Sequence, residues 1–225
     1  DRKEPLSSCR NEVLTEKSRC PPVETKFDVG EQAKISFWHS KVENPMLKRH
    51  KHTPAHLFLD DTPYFITGAV HRKRPLLATP EIKKQLIDLI KEYFDRYNWQ
   101  LRNWVVLDNH YHLIGKSREG KDLTVVMRGI HRASAPLIAA ATECENPVWW
   151  NYWDYCPRDE NDYWVRTNYL LYNPVKHGYV NNLDDYPFSS FKTVLEEMGR
   201  ENLAACFRKY RGYRALALKE TEDDY

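Results

Sequence analysis

Two histidines separated by one residue, His110-Tyr111-His112, are the first place in this sequence where chemistry could reside. Side chains on a strand alternate with a period of two, so both imidazoles leave one face and can share a metal ion, while Tyr111 points to the other face. So short a motif recurs by chance, and the pair needs a partner elsewhere in the chain. Tyr169 and Asn173 offer one: a spacing of four puts them one turn apart on the same helix face. An asparagine carbonyl oxygen suits a hard cation, and a tyrosine can supply a phenolic nucleophile. Tyr172 leaves the helix about 100 degrees from Asn173, and neither Tyr163 nor Tyr179 has Asn173 one turn downstream. Standing alone, Tyr169 beside Leu170 and Leu171 would read as a core residue.

The elements that must position these groups are legible as patterns. Pro63–Val70, rich in aromatic and β-branched residues, reads as a strand. Thr79 as N-cap and Pro80 at the first helical position open a long amphipathic helix carrying Ile82, Leu86, Leu89, Ile90, Tyr93, Phe94 and Tyr97. Asn98 and Trp99 close it. Residues 100–107 and 110–116 read as an antiparallel strand pair broken at Asp108-Asn109. A second helix is expected over 122–141, interrupted or bent at Pro136. The tryptophan- and tyrosine-rich run 148–155 reads either as a last strand or as an ordered loop. A third helix is expected over 159–172, ended by Pro174 and finished by Gly178. This order implies an α+β fold, an antiparallel sheet with helices near a ferredoxin-like plan, with the histidine pair on a strand and the tyrosine on a helix. Beyond it come a turn over 184–190, a short helix from Phe191 to Met198 and a basic tail with Arg208, Lys209, Arg211 and Arg214. The expected division is an N-terminal extension over 1–55, a catalytic domain over 56–190, and a C-terminal helix and tail over 191–225. The five prolines Pro5, Pro21, Pro22, Pro45 and Pro54, without hydrophobic periodicity, are the reason for calling the first segment an extension or arm.

Composition fits an ordinary soluble catalytic domain. The chain has 225 residues, 41% of them hydrophobic and 13% aromatic, enough to build a core. No apolar run approaches the roughly 20 residues of a membrane span, and the N-terminus lacks the order of a signal peptide, so a cytoplasmic bacterial setting is expected. Cys9, Cys20, Cys144, Cys156 and Cys206 are odd in number and never form a Cys-x-x-Cys pair, which argues against a disulfide framework and a zinc ribbon. The net charge of +2 decides little. The basic and histidine-rich stretch between Lys34 and Arg74 reads equally as a phosphate-facing surface or a solvated face.

His110-Tyr111-His112, with the later run Tyr169-Leu170-Leu171-Tyr172-Asn173-Pro174-Val175-Lys176-His177-Gly178, closely resembles the REP-associated tyrosine transposases of the HUH single-strand endonuclease superfamily. Tyr64-Phe65-Ile66-Thr67, Trp104-Val105-Val106-Leu107 and Tyr186-Pro187-Phe188-Ser189-Ser190 look familial too, so the likeness spans roughly 54–190. The resemblance implies a ferredoxin-like core, Tyr169 as nucleophile, and His110, His112 and Asn173 as ligands of a divalent metal; two imidazoles and an amide oxygen with open positions suit Mg²⁺ or Mn²⁺, with zinc left as an alternative. It implies attack on a phosphodiester, leaving a 5′-phosphotyrosine and a free 3′-hydroxyl that can take part in strand transfer. The chain departs from the superfamily pattern at Tyr111, where an aliphatic residue is common, and at Asp108, where a proline often stands. We read Asp108 as a turn residue rather than an outer-shell partner.

Family analogy further implies a single-stranded DNA partner with a hairpin from a repetitive palindrome, bound by a nucleoid-associated monomer or homodimer. Arg72, Lys73, Arg74, Lys116, Arg118, Arg128 and Arg132 are candidate phosphate contacts, and Trp149, Trp150 and Trp153 candidate stacking platforms for bases. A phenol with an ordinary pKa near 10 is a poor nucleophile at neutral pH unless its proton is removed or a nearby cation stabilises it. Two rivals remain: a domesticated hairpin-binding protein without cleavage, and an RNA-directed protein that exploits stacking and the 2′-hydroxyl.

Overall fold

The computed structural model describes residues 58–216 and 218, so the extension expected over 1–55 lies outside the described residues. Four strands, β1 (Pro63–Val70), β2 (Gln100–Val106), β3 (His110–Lys116) and β4 (Trp149–Tyr155), form one antiparallel sheet in the order β2-β3-β1-β4. Helix α1 (Pro80–Arg96) joins β1 to β2 and α2 (Leu123–Thr142) joins β3 to β4, the ferredoxin-like plan expected from the sequence. The run that left strand and loop open is therefore the edge strand β4. Central β1 is buried at seven of its eight positions, which is why its sequence shows no polar alternation.

The two sheet faces have separate cores. On one, Tyr64, Ile66, Tyr111 and Leu113 pack with Leu86, Ile90 and Phe94 of α1 and Val126, Met127 and Ile130 of α2. Helix α1 begins as anticipated, with the Thr79 hydroxyl accepting from the Ile82 N–H at 3.4 Å. Tyr111 does point away from the histidines, and its ring lies so close over Gly68 of the neighbouring strand that a Cβ there would meet it at 2.3 Å. On the other face, Phe65, Val105, Leu107 and Ile114 pack against Tyr169, Leu170 and Leu171 of α3 (Glu160–Lys176), with α4 (Phe191–Met198) and α5 (Arg200–Lys209) beyond.

Three expectations are corrected. Helix α2 is not interrupted at Pro136 but runs through it to Thr142. Helix α3 does not end before Pro174; it continues to Lys176. Proline there removes only one intrahelical N–H, in the last turn, whereas α3 has nine buried residues holding it between sheet and outer helices. Gly178, at φ 73°, then closes the helix while the Tyr179 N–H donates to the Pro174 carbonyl at 2.9 Å. The expected basic tail is in good part α5, anchored because Leu203 and Cys206 are buried and the Asn168 amide of α3 donates to the carbonyls of Cys206 and Tyr210.

The β2–β3 turn, which delivers His110, is fixed from three sides. Asp108 accepts from the Lys83 ammonium of α1 at 2.7 Å, and Lys83 is itself ringed by Tyr179, Tyr186 and Phe188 at 5.2–5.6 Å. Tyr186 donates its hydroxyl proton to the Val106 carbonyl, and Phe188 accepts from the Val106 N–H. Asp108 is thus an anchor of the turn through a partner on α1.

Candidate active site

His110 and His112 leave β3 on the α3 side, their ring centroids 4.9 Å apart. Each has Nδ1 occupied: His110 by the Asn109 side-chain oxygen at 2.7 Å, His112 by the Thr67 hydroxyl at 2.8 Å from the facing position on β1. An amide oxygen only accepts, so the hydrogen-bond network assigns the His110 proton to Nδ1 and leaves Nε2 as the electron-pair donor. Such partners fix ring orientation and tautomer in metal sites. Burial pushes the His110 pKa down to about 3, helped by His177, Lys176 and Lys73 and opposed by Asn173. His112, fully buried, is also held well below its ordinary value by burial and then by His110, His177 and Lys176. Both rings are therefore neutral at physiological pH, the form that donates to a metal.

Helix α3 crosses this pair with Tyr169, Asn173 and Lys176 along one face. The Tyr169 ring lies 5.5 Å from the His112 ring and 6.3 Å from Phe65, which itself stacks on His112 at 5.2 Å. Asn173 is completely buried, yet neither its Oδ1 nor its Nδ2 makes a well-formed hydrogen bond. The amide is near enough to His110 to raise that ring's basicity, but the geometry falls short of a good bond. A buried amide in that state is costly unless something else engages it. Among the described residues no three His, Cys, Asp or Glu side chains converge as a metal cluster, so His177, with its ring 5.4 Å from His110, does not complete an all-histidine centre. The buried Asn173 oxygen is available as a third protein donor beside the two imidazoles, and such a donor set would fit a divalent ion with open positions.

The family profile described as Transposase IS200 like matches residues 62–156. A REP-associated tyrosine transposase of Escherichia coli (strain K12) is 32% identical over 129 residues, which cover 57% of this chain and 75% of that protein. The chain belongs to the REP-associated tyrosine transposase family. A Haemophilus influenzae relative is 28% identical over 128 residues, covering 48% of this chain and 72% of the relative. The solved structure of a REP-associated tyrosine transposase bound to a REP hairpin superposes with a TM-score of 0.52 at 26% identity, covering 66% of this chain and 84% of that one.

In this transposase family member the candidate DNA contacts are scattered rather than gathered. Arg72 and Lys73 do flank the histidine site: they occupy consecutive left-handed positions, φ 56° and 49°, just past β1, and the Asn109 amide nitrogen donates to the Lys73 carbonyl. Arg74 is engaged in closing loops, donating to the carbonyls of His71, Glu145 and Pro147. Lys116 stands at the opposite end of β3 from His110, with Arg118 just beyond it. Arg128 and Arg132 are exposed on α2, across the sheet from α3. Trp149 is a core residue and not a platform: its ring stacks on His131 at 4.4 Å and its Nε1–H donates to Ser134. Trp150 and Trp153 on β4 stay half-buried, Trp150 against His71.

Sequence reasoning missed Thr67, Asn109 and Lys176. The Lys176 ammonium donates to the Tyr169 hydroxyl oxygen at 2.9 Å. Its signal was the seven-residue spacing from Tyr169, two helical turns, which vanished once the helix was ended at Pro174.

Proposed function

We propose that this protein is a metal-dependent single-strand DNA endonuclease and strand transferase acting at hairpin-forming DNA through a 5′-phosphotyrosine. In this reading Tyr169 is the nucleophile, and His110, His112 and Asn173 hold Mg²⁺ or Mn²⁺, nitrogen donors favouring Mn²⁺. The observation that carries it is the Asn173 amide, fully buried without a good hydrogen bond, placed beside the histidine pair and one turn from Tyr169. Family membership, and the hairpin named for the solved relative, favour a hairpin DNA substrate. A bound divalent ion supplies Lewis-acid polarisation and orientation of the scissile phosphate. The residues do the rest: Phe65 and the His112 ring pack the phenol in place, Thr67 and Asn109 fix the two imidazoles, and one tyrosine per site suits one strand exchange at a time.

Labelled single-stranded hairpin DNA is incubated with wild type and Tyr169→Phe in Mn²⁺ or Mg²⁺, and covalent adducts are resolved on a denaturing gel. The expected result is an adduct with wild type alone, abolished by EDTA. Hairpin binding without cleavage across varied flanks would identify a domesticated binder, and a preference for RNA in competition would favour the RNA reading. An adduct surviving Tyr169→Phe would mean a different nucleophile.

A further inference from the structure

Lys176 sits two turns beyond Tyr169 on the same face of α3, and its ammonium reaches the nucleophile's own oxygen: Nζ is 2.9 Å from Tyr169 Oη and 4.4 Å from the ring centroid. An ammonium in line beyond the hydroxyl would lie farther from the ring than this. Lys176 therefore approaches the oxygen from the side rather than from beyond it. Its charge is also felt at His110 and His112, so it stands within the field of the metal site without being one of the donors. A lysine in the last turn of a helix is favoured by the helix dipole alone and needs no partner there. Here its ammonium reaches the hydroxyl of Tyr169.

We propose that Lys176 is a catalytic residue that touches the reacting oxygen, holding Tyr169 Oη on the line of attack and stabilising negative charge on that oxygen as bonds to phosphorus form and break. The inference rests on Tyr169 being the nucleophile. In cleavage, the Tyr169 Oη–P bond forms and the P–O3′ bond breaks; the phenol proton passes to solvent and the 3′ oxygen takes one up. In strand joining, an incoming 3′-hydroxyl attacks the same phosphorus, the Oη–P bond breaks, and the proton movements reverse. Both steps are transesterifications with no change of oxidation state. Lys176 keeps its own proton and donates a hydrogen bond throughout, strongest when Oη carries most charge. A preorganised donor of this kind counts for more in the transition state than in the ground state.

The test compares wild type, Lys176→Met and Lys176→Arg in single-turnover cleavage of saturating hairpin DNA, in joining from the isolated covalent adduct, and in hairpin and Mn²⁺ affinity. Methionine keeps an unbranched apolar side chain of similar length and removes the ammonium. The expected result for Lys176→Met is a loss of about 100-fold in both cleavage and joining, the scale of removing one transition-state donor. Hairpin affinity should stay within about twofold and Mn²⁺ affinity should be equal or tighter, since a nearby cation has been removed. Lys176→Arg should recover most of both rates. Cleavage by Lys176→Met within about threefold of wild type, or a rate loss matched by an equal loss of hairpin affinity, would overturn the assignment. Failure of wild type itself to form an adduct would instead remove the tyrosine nuclease reading, and this inference with it.

Discussion

Asn109 holds the ring of its neighbour His110 through a 2.7 Å hydrogen bond from Nδ1–H to the amide oxygen, while its amide nitrogen bonds the Lys73 carbonyl. One side chain thus sets the His110 tautomer and ties it to the basic turn after β1. Asn109→Ala removes the restraint without altering any of the three proposed metal ligands. Loss of such an outer partner typically costs 10- to 100-fold in metal affinity. Mn²⁺ titration should show a loss within about that range, with hairpin affinity in EDTA unchanged; Asn109→Asp, which still accepts from Nδ1, should retain most of the affinity. Equal Mn²⁺ binding by wild type and Asn109→Ala would contradict the role.

The Asn173 amide predicts an unusual mutant. Burying an amide without a good bond costs roughly 1–3 kcal/mol, so Asn173→Leu, similar in volume, should leave the metal-free protein as stable as wild type or more so. In the proposed metal site the same change removes the third donor, so Mn²⁺ should raise the melting temperature of wild type and leave that of the variant unchanged. Melting curves with and without Mn²⁺ separate the two effects. A metal-free variant several kcal/mol weaker than wild type would show that the amide is satisfied by the protein itself.

Lys83 and Asp108 form an ion pair with unequal partners: the lysine side chain is 5% exposed, the aspartate 30%. Removing Asp108 strands a cation among three rings, whereas removing Lys83 leaves a carboxylate that water can reach. Urea unfolding should therefore rank Asp108→Asn as the more damaging, by about 3 kcal/mol against roughly 2 for Lys83→Met, and the double variant should recover part of the loss. Equal single-variant costs that simply add would argue that the pair is uncoupled.

The parts of this fold that could be read from sequence are those governed by local rules. Thr79-Pro80 marks a helix start whatever surrounds it, and the His110-Tyr111-His112 alternation needs only that the segment be a strand. What escaped depended on tertiary partners. Thr67 faces His112 only because β1 pairs with β3 in a register no local pattern announces. Pro174 reads as a stop signal in isolation, yet burial of α3 carries the helix past it, and with that error Lys176 dropped off the helix face that carries Tyr169 and Asn173. Trp149 and Trp150 are adjacent and chemically identical, and only packing against His131 makes the first of them core.

His131 offers a pH test remote from the histidine pair. Its ring stacks on Trp149, shares a 2.7 Å hydrogen bond with the Tyr111 hydroxyl, and faces Tyr152 at 6.4 Å. Among the described residues no charged group offsets its burial, which pushes its pKa from 6.5 down to about 3. Below pH 6.5 the unfolded chain takes up a proton at this position and the folded chain does not, so stability contributed by neutral His131 is lost as the pH falls from about 6.5 towards 3. The full linkage slope for one group is about 1.4 kcal/mol per pH unit; because the residue as a whole is only half-buried, the expectation is reduced to roughly 1. His131→Phe keeps the stack on Trp149 and forfeits the hydrogen bond, an offset of about 1 kcal/mol that does not vary with pH. Denaturation of both proteins in EDTA between pH 6.5 and 4.5 cancels the contributions of His110, His112 and His177, which both share. The variant should lose stability less steeply on acidification than wild type, by about 1 kcal/mol per unit, whereas parallel curves would mean that folded His131 accepts a proton as readily as the unfolded chain.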